Sequence, residues 1–244
     1  MDDKFLRDSF DQIGIELTDD QVSKFDKYYN LILEKNKVMN LTKITDYHDA
    51  VTKHFVDSLS LVLLDDDISI IKRFHNGALV IDVGTGAGFP GIPLKIVFPE
   101  IRLTLLDSVN KKLDFLRHVC TELGFNDVNI IHGRAEDIAH IKGKRETFDF
   151  CVSRAVGNLE TLSEYCLPFV KKNGFFISYK SEKADEELSL CKHAFSELRG
   201  KLVQEATFEL PYSDISRTLL LIMKTGNTPK IYPRKAGTPS RNPL

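Results

Sequence analysis

The segment "ALVIDVGTGAGFPGIPL", Ala78 to Leu94, constrains the fold more than any other part of the chain. Apolar residues run unbroken to a carboxylate, Asp82, and then give way to glycines at 84, 86 and 88. An unbroken apolar run suits a strand covered on both faces, the condition of a central strand in a parallel sheet. A glycine turn directly behind it lets backbone pass close to a nucleotide-like ligand, because no Cβ intervenes.

The rest of the chain repeats the theme. Strands are expected at "ALVIDV", "RLTLLD", "VNIIH", "FDFCVS" and "GFFISY", with helices between them. The clearest helix spans Lys111 to Leu123, where Leu113, Leu116, Cys120 and Leu123 fall at helical intervals and Gly124 supplies the stop. Such alternation implies a parallel sheet with helices on both faces. A polar helix from about Glu182 to Arg199 precedes "KLVQEATFEL" and "RTLLLIMK", whose short "PYSDIS" connection predicts an antiparallel pair at the sheet edge.

Residues 1–75 read as helices. Thr18 and Gln21 make a capping-box pattern, and Val22, Phe25, Tyr29, Ile32 and Leu33 follow at helical spacing. A second helix is predicted from Asp46 to Leu64, with Val51, Phe55, Leu59 and Val62 on one side. The expected organisation is a helical extension over 1–75, an α/β domain with a seven-stranded, mostly parallel sheet over 76–224, and a basic tail over 225–244 packed on or flanking it.

At 244 residues, 42% hydrophobic and 28% charged, the chain can bury a core without disulfides or metal. The four cysteines form no CxxC pair and the histidines show no ligand spacing, which argues against a metal site and suits a reducing cytoplasm. The N-terminus is charged from its second residue and no long apolar run follows, so neither a leader nor a membrane span is expected. The net charge of −2 does not mark a nucleic-acid binder. Its distribution says more: the N-terminal third carries an acidic run, Asp65 to Asp67, whereas Met223 to Leu244 holds five basic residues and no acidic one. Charge runs are ordinarily solvated faces, so the tail is either that or a nucleic-acid contact.

Ligands of open α/β sheets sit beyond the carboxyl ends of the strands. A dinucleotide fingerprint requires G-x-G-x-x-G, and here the third glycine comes one residue early, behind Asp82. A pyrophosphate seeks a helix N-terminus and is repelled by a carboxylate, whereas a cofactor carrying an ammonium and a sulfonium favours acidic groups. Asp82 therefore tilts the expectation toward S-adenosylmethionine, with Gly86 inside the same turn. Asp107, ending the second strand, can bridge two ribose hydroxyls; its alternative is a cap for the helix near Asn110.

In order along the chain, "NLT" (Asn40 to Thr42), "HFVDSL", "DVGTGAGFPGIPL", "LLDS", "RAE", "SRAV" and "YPRKAGTPSRNPL" resemble the RsmG (GidB) family, bacterial enzymes that methylate N7 of one guanine in 16S ribosomal RNA. The resemblance implies a class I, Rossmann-like methyltransferase acting on 16S RNA or a small-subunit particle, expected as a monomer. It carries cofactor contacts to Gly84, Phe89, Ala135, Glu136 and Arg154, and supports Asp107 on the ribose.

Guanine N7 offers a lone pair and no proton, so no general base, and no catalytic residue, is expected; the task is orientation. The segment "SRAVGN" stands where exocyclic-amine methyltransferases carry an Asn/Asp-Pro-Pro-aromatic motif, and Cys151 reads as strand core rather than nucleophile. Because methylation makes the base cationic, Arg154 should aim at the cofactor carboxylate or an RNA phosphate, or else hold a structural ion pair. His54 and Asp57, one helical turn apart, are expected as a buried pair fixing the N-terminal helices. Arg234, Lys235 and Arg241, with Tyr232 as a stacking surface, are the leading RNA candidates; Lys180 and Arg217 stand behind them. Rival expectations are a nicotinamide-dependent oxidoreductase, an RNA-assembly protein without turnover, and a small-molecule methyltransferase.

Overall fold

The computed structural model describes residues 2–64, 69–155, 157–180 and 184–244. The acidic run Asp65–Asp67, Val156 of "SRAV" and the first residues of the helix expected from Glu182 lie outside the described residues. Helices α1 (Asp3–Asp11) and α2 (Asp19–Asn36) open the chain, and Thr18 and Gln21 form the expected reciprocal cap. A helical run then comes in pieces: α3 (Tyr47–Ala50), a π-helical turn (Val51–Val56), α4 (Asp57–Leu59) and a 3-10 turn (Ser60–Leu64). After α5 (Ile70–His75), strand and helix alternate through β1 (Leu79–Val83), α6 (Gly91–Val97), β2 (Arg102–Asp107), α7 (Asn110–Leu123), β3 (Asn129–His132), α8 (Ala135–Ile138), β4 (Phe148–Ser153), α9 (Leu159–Cys166) and β5 (Val170–Lys180). Helices α10 (Ala184–Leu190) and α11 (Lys192–Leu198) precede β6 (Gly200–Glu209) and β7 (Ser216–Lys224), and α12 (Thr238–Arg241) lies in the tail.

The seven strands form one sheet in the order β3-β2-β1-β4-β5-β7-β6. Strands β1 to β5 pair in parallel, and β7 runs antiparallel to both β5 and β6. The chain builds outward from β1 to β3, then returns to place β4 on the other side of β1. That reversal is the switch point at which such sheets open a crevice.

Alternate strand residues face two apolar layers. Val80, Leu103, Phe150 and Ile177 pack with Phe10, Phe25 and Phe55 of the N-terminal helices, while Ile81, Cys151 and Phe176 pack with α9 and α11. All four cysteines are buried thiols, as expected of core residues. Among the described residues no helix is long and apolar enough to cross a membrane.

The glycine that packs helix against sheet is Gly91, which the dinucleotide template does not single out. A Cβ there would meet Leu105 Cδ2 at 2.5 Å and Asp82 Oδ2 at 2.9 Å. Gly91→Ala should therefore push α6 off β1 and β2 and lower unfolding free energy by about 1–3 kcal/mol. A denaturant midpoint equal to that of the parent would refute this packing role.

Candidate active site

The carboxyl ends of β1 to β4 open on a cleft of about 700 Å³. Its floor is the turn behind β1, shaped by left-handed backbone at Gly84 (φ +75°) and Gly86 (φ +61°). Nearly every amide of that turn is engaged internally. Gly84 and Thr85 donate to the Leu106 carbonyl at 2.8 and 3.2 Å, and Gly88 and Phe89 to the Thr85 carbonyl at 2.9 and 3.0 Å. Gly86 donates to Asp107 Oδ2 and Gly91 to Asp82 Oδ2, both at 2.9 Å. A pyrophosphate needs free amides at a helix N-terminus, and this turn does not hold them out. The cleft instead presents the carboxylates of Asp107 and Glu136, acceptors that fit an adenosine carrying positive charge.

Gly84, Gly86, Phe89, Asp107, Ala135, Glu136 and Arg154 all line this cleft. Asp82 does not, which corrects the expectation that it faces the ligand. It is fully buried beneath the turn, where Oδ2 accepts from Thr85 Oγ1 at 2.7 Å and from Gly91, and Oδ1 finds no partner. Burial raises its carboxyl to about 7. Asp82 braces the turn from below.

Asp107 serves two ends. Its Oδ1 accepts from Val109 at 2.8 Å, ahead of α7, and Oδ2 fixes Gly86. A carboxylate has about four acceptor positions, so capacity for a ribose diol remains. Glu136 Oε1 accepts from Gly237 at 2.9 Å, tying the C-terminal segment to the cleft wall.

Arg154 leaves the end of β4 and turns toward the N-terminal helices. Its Nη1 reaches Asp57 Oδ2 at 2.9 Å and the Lys53 carbonyl of the π turn at 3.2 Å, and its Nη2 contacts His54 Nδ1 at 3.3 Å. The guanidinium also lies 4.9 Å from the Phe89 ring centre, and His54 stacks on that ring at 4.4 Å. Of the roles expected for Arg154, the contacts show the structural ion pair, its charge meeting buried Asp57. His54 and Asp57 do not bond each other as expected; Arg154 joins them. Arg217, an RNA candidate, donates to Asp57 Oδ1 at 3.1 Å and is likewise engaged.

Other cations expected to meet RNA are also occupied. Lys180 is buried and donates to the Gly157 carbonyl and to Glu187 Oε2, each at 2.7 Å. Arg234 grips buried Glu164, with Nη2 to Oε2 at 2.6 Å and Nε to Oε1 at 3.0 Å. Tyr232 is buried and donates to Glu197 at 3.0 Å, so it presents no stacking surface. Lys235 and Arg241 stay exposed. The sequence pattern overlooked Lys112 and Arg134, which line the cleft with no acceptor for their charged ends among the described residues. It also overlooked Tyr28, whose hydroxyl donates to the Ala87 carbonyl at 2.7 Å and steadies the turn. None of the three has a distinguishing local signal, since all sit in ordinary helix and loop patterns.

A family model described as rRNA small subunit methyltransferase G matches residues 21–211. The chain belongs to that family. The ribosomal RNA small subunit methyltransferase G of Alkaliphilus metalliredigens is 46% identical over 98% of this chain and 97% of its own. That of Staphylococcus aureus is 46% identical over 99% and 98%, and that of Lactococcus lactis 43% over 99% and 98%. Among solved structures, a mutant of MtNAS superposes with a TM-score of 0.54 at 17% identity, covering 82% of this chain and 74% of that one, a likeness of fold alone. The activity of this member of the methyltransferase G family is methylation of small-subunit ribosomal RNA.

In this family member the imidazole beside the cleft is held neutral. Burial, with Arg154 adjacent, lowers His54 to about 3. The unfolded chain takes up that proton near 6.5 and the folded chain only near 3, so stability should fall as pH drops through this window. His54→Gln should lose less unfolding free energy than the parent between about pH 7 and about pH 4.5. Equal losses in urea titrations would show His54 to be freely protonated.

Proposed function

We propose that this chain methylates N7 of one guanine in 16S ribosomal RNA, with S-adenosylmethionine as cofactor. When bound, that cofactor supplies an electrophilic methyl group. The chain's own residues divide the remaining work. Asp107 takes the ribose and Ala135 with Glu136 the adenine edge. Gly84 and Gly86 let the cofactor lie against bare backbone, and Phe89 closes the floor.

The observation carrying the N7 assignment is the engagement of His54, the one imidazole lining the cleft among the described residues. Its Nδ1 faces Arg154 and its Nε2 faces Thr42 Oγ1 at 2.9 Å, so neither nitrogen is offered to a substrate proton. The lining carboxylates, Asp107 and Glu136, belong to the β2 and β3 side. A nucleophile here must bring its own lone pair, and guanine N7 does so without a proton to lose. The cysteines are all buried, which leaves no thiol for attack on a pyrimidine ring. The Arg154 charge, drawn off by Asp57, does not oppose the cation that methylation creates.

The test is to incubate the protein with 16S RNA and with small-subunit particles and to map N7-methylguanine by cleavage. Transfer to a single guanine N7 is the expected result, and methylation of an exocyclic amine or a pyrimidine would overturn it. Asp107→Ala should lower transfer through the cofactor, weakening its binding by about 1.5–3 kcal/mol. Unchanged affinity would remove Asp107 from the ribose.

RNA phosphate is met by the cations left without acid partners, Lys112 and Arg134 at the cleft and Lys235 and Arg241 on the tail. Lys112→Ala with Arg134→Ala should flatten the dependence of log affinity on log salt by roughly 0.7–0.9 for each phosphate no longer neutralised. Arg234→Ala, deleting an internal pair, should instead lower stability. A salt slope untouched by the double variant would move the RNA path elsewhere.

A further inference from the structure

We infer that Thr42 reads the target base: its hydroxyl donates a hydrogen bond to guanine O6, a selection that rests on the guanine-N7 assignment above. Donors and acceptors around His54 and Thr42 lead there. A guanidinium has no acceptor, so the 3.3 Å contact from Arg154 Nη2 makes His54 Nδ1 the accepting nitrogen. The proton of the neutral ring is then on Nε2, which donates to Thr42 Oγ1 at 2.9 Å. The Ile44 amide donates to the same oxygen at 3.0 Å. A hydroxyl has two accepting lone pairs and one proton. Both lone pairs of Thr42 are taken, and its proton has no acceptor among the described residues. Thr42 lines the cleft, so the unused donor belongs to a surface that meets substrate.

Its place in the fold says which part of the substrate it meets. Along the strand ends the order is β3, β2, β1, β4. Ala135 and Glu136 follow β3 and Asp107 ends β2, which puts the adenosine at that side. Arg154 follows β4 and reaches His54, and His54 reaches Thr42, so this donor stands at the opposite side. The loop bearing it is pinned by Asn36. Asn36 Oδ1 accepts from Leu41 and Thr42 at 2.8 and 3.2 Å, and Asn36 Nδ2 donates to the Thr42 carbonyl at 2.9 Å.

Guanine carries its O6 acceptor beside N7, where adenine carries an amino donor. A donor aimed at O6 leaves the N7 lone pair free and rejects adenine by setting donor against donor. A hydroxyl does this without the charge that would resist a base becoming cationic.

The experiment compares the parent, Thr42→Val and Thr42→Ser on RNA carrying guanine or 2-aminopurine at the target, the latter keeping N7 and lacking O6. Thr42→Val should lower kcat/KM on guanine RNA about 10-fold, the scale of one neutral hydrogen bond, and leave affinity for S-adenosylhomocysteine unchanged. On 2-aminopurine RNA the parent and Thr42→Val should be equal, and Thr42→Ser should restore preference for guanine. Equal losses on both RNAs would reduce Thr42 to a loop brace and overturn the inference, as would a loss of cofactor affinity. Methylation mapped away from guanine N7 in the parent would overturn both assignments, whereas N7 transfer without the Thr42 discrimination overturns only this one.

Discussion

The ion pair between Arg154 and Asp57 holds the site together. Asp57 is nearly sealed from solvent, and a buried carboxylate without a partner would cost several kcal/mol. Arg154 supplies that partner from the end of β4, and Arg217 adds a second contact from β7. Three distant parts of the chain thus converge on one carboxylate: the helical extension, the sheet at its switch point, and the antiparallel edge. The Lys53 carbonyl of the π turn turns to the same guanidinium, which accounts for a wide turn within an otherwise helical run. Breaking the pair would loosen the wall carrying His54 and Thr42 and the floor carrying Phe89 together.

The second constraint is where the amides of the glycine turn point. Glycine turns behind a first strand serve both dinucleotides and sulfonium cofactors, and glycine spacing alone separates them weakly. The partners of the amides separate them better. When Asp82, Asp107, Leu106 and Thr85 take up the N–H groups, the turn is a floor with its amides already engaged rather than an anion nest. Asp82 keeps its link to cofactor choice through this route: it holds the turn closed from beneath. Glu136 has a comparable dual position, lining the cleft while anchoring Gly237, so the C-terminal segment is tied to the cleft wall.

The strands were legible where pattern and pairing agree. "RLTLLD" and "FDFCVS" are β2 and β4 to the residue, because a buried parallel strand is mostly apolar and each of these ends on a polar residue, Asp107 and Ser153. β5 begins at Val170, ahead of the expected "GFFISY", because Val170 pairs with Phe148; Lys171 to Asn173 fall in a break of the register with left-handed backbone at Asn173 (φ +63°), which no apolar pattern marks. The Thr18–Gln21 cap and the Gly124 stop were legible because both are local hydrogen-bond chemistry. The cations were not. Arg154 and Asp57 are 97 positions apart, and Glu164 and Arg234 are 70 apart. A side chain's charge is evident in the chain, but its partner is not.

The amino-acid order alone therefore determined the alternating sheet, the turn that floors the cleft and the cleft carboxylate Asp107 at the end of β2, because apolar periodicity and glycine act over a few residues. Tertiary structure alone decided which charges are engaged inside and which remain without an acid partner, since that depends on acids brought near from remote segments. It likewise decided that Asp82 faces inward and that Thr42, held by Asn36 and His54, keeps one proton to give. Hydrogen bonding saturates, and only the folded arrangement reveals which donor is left over.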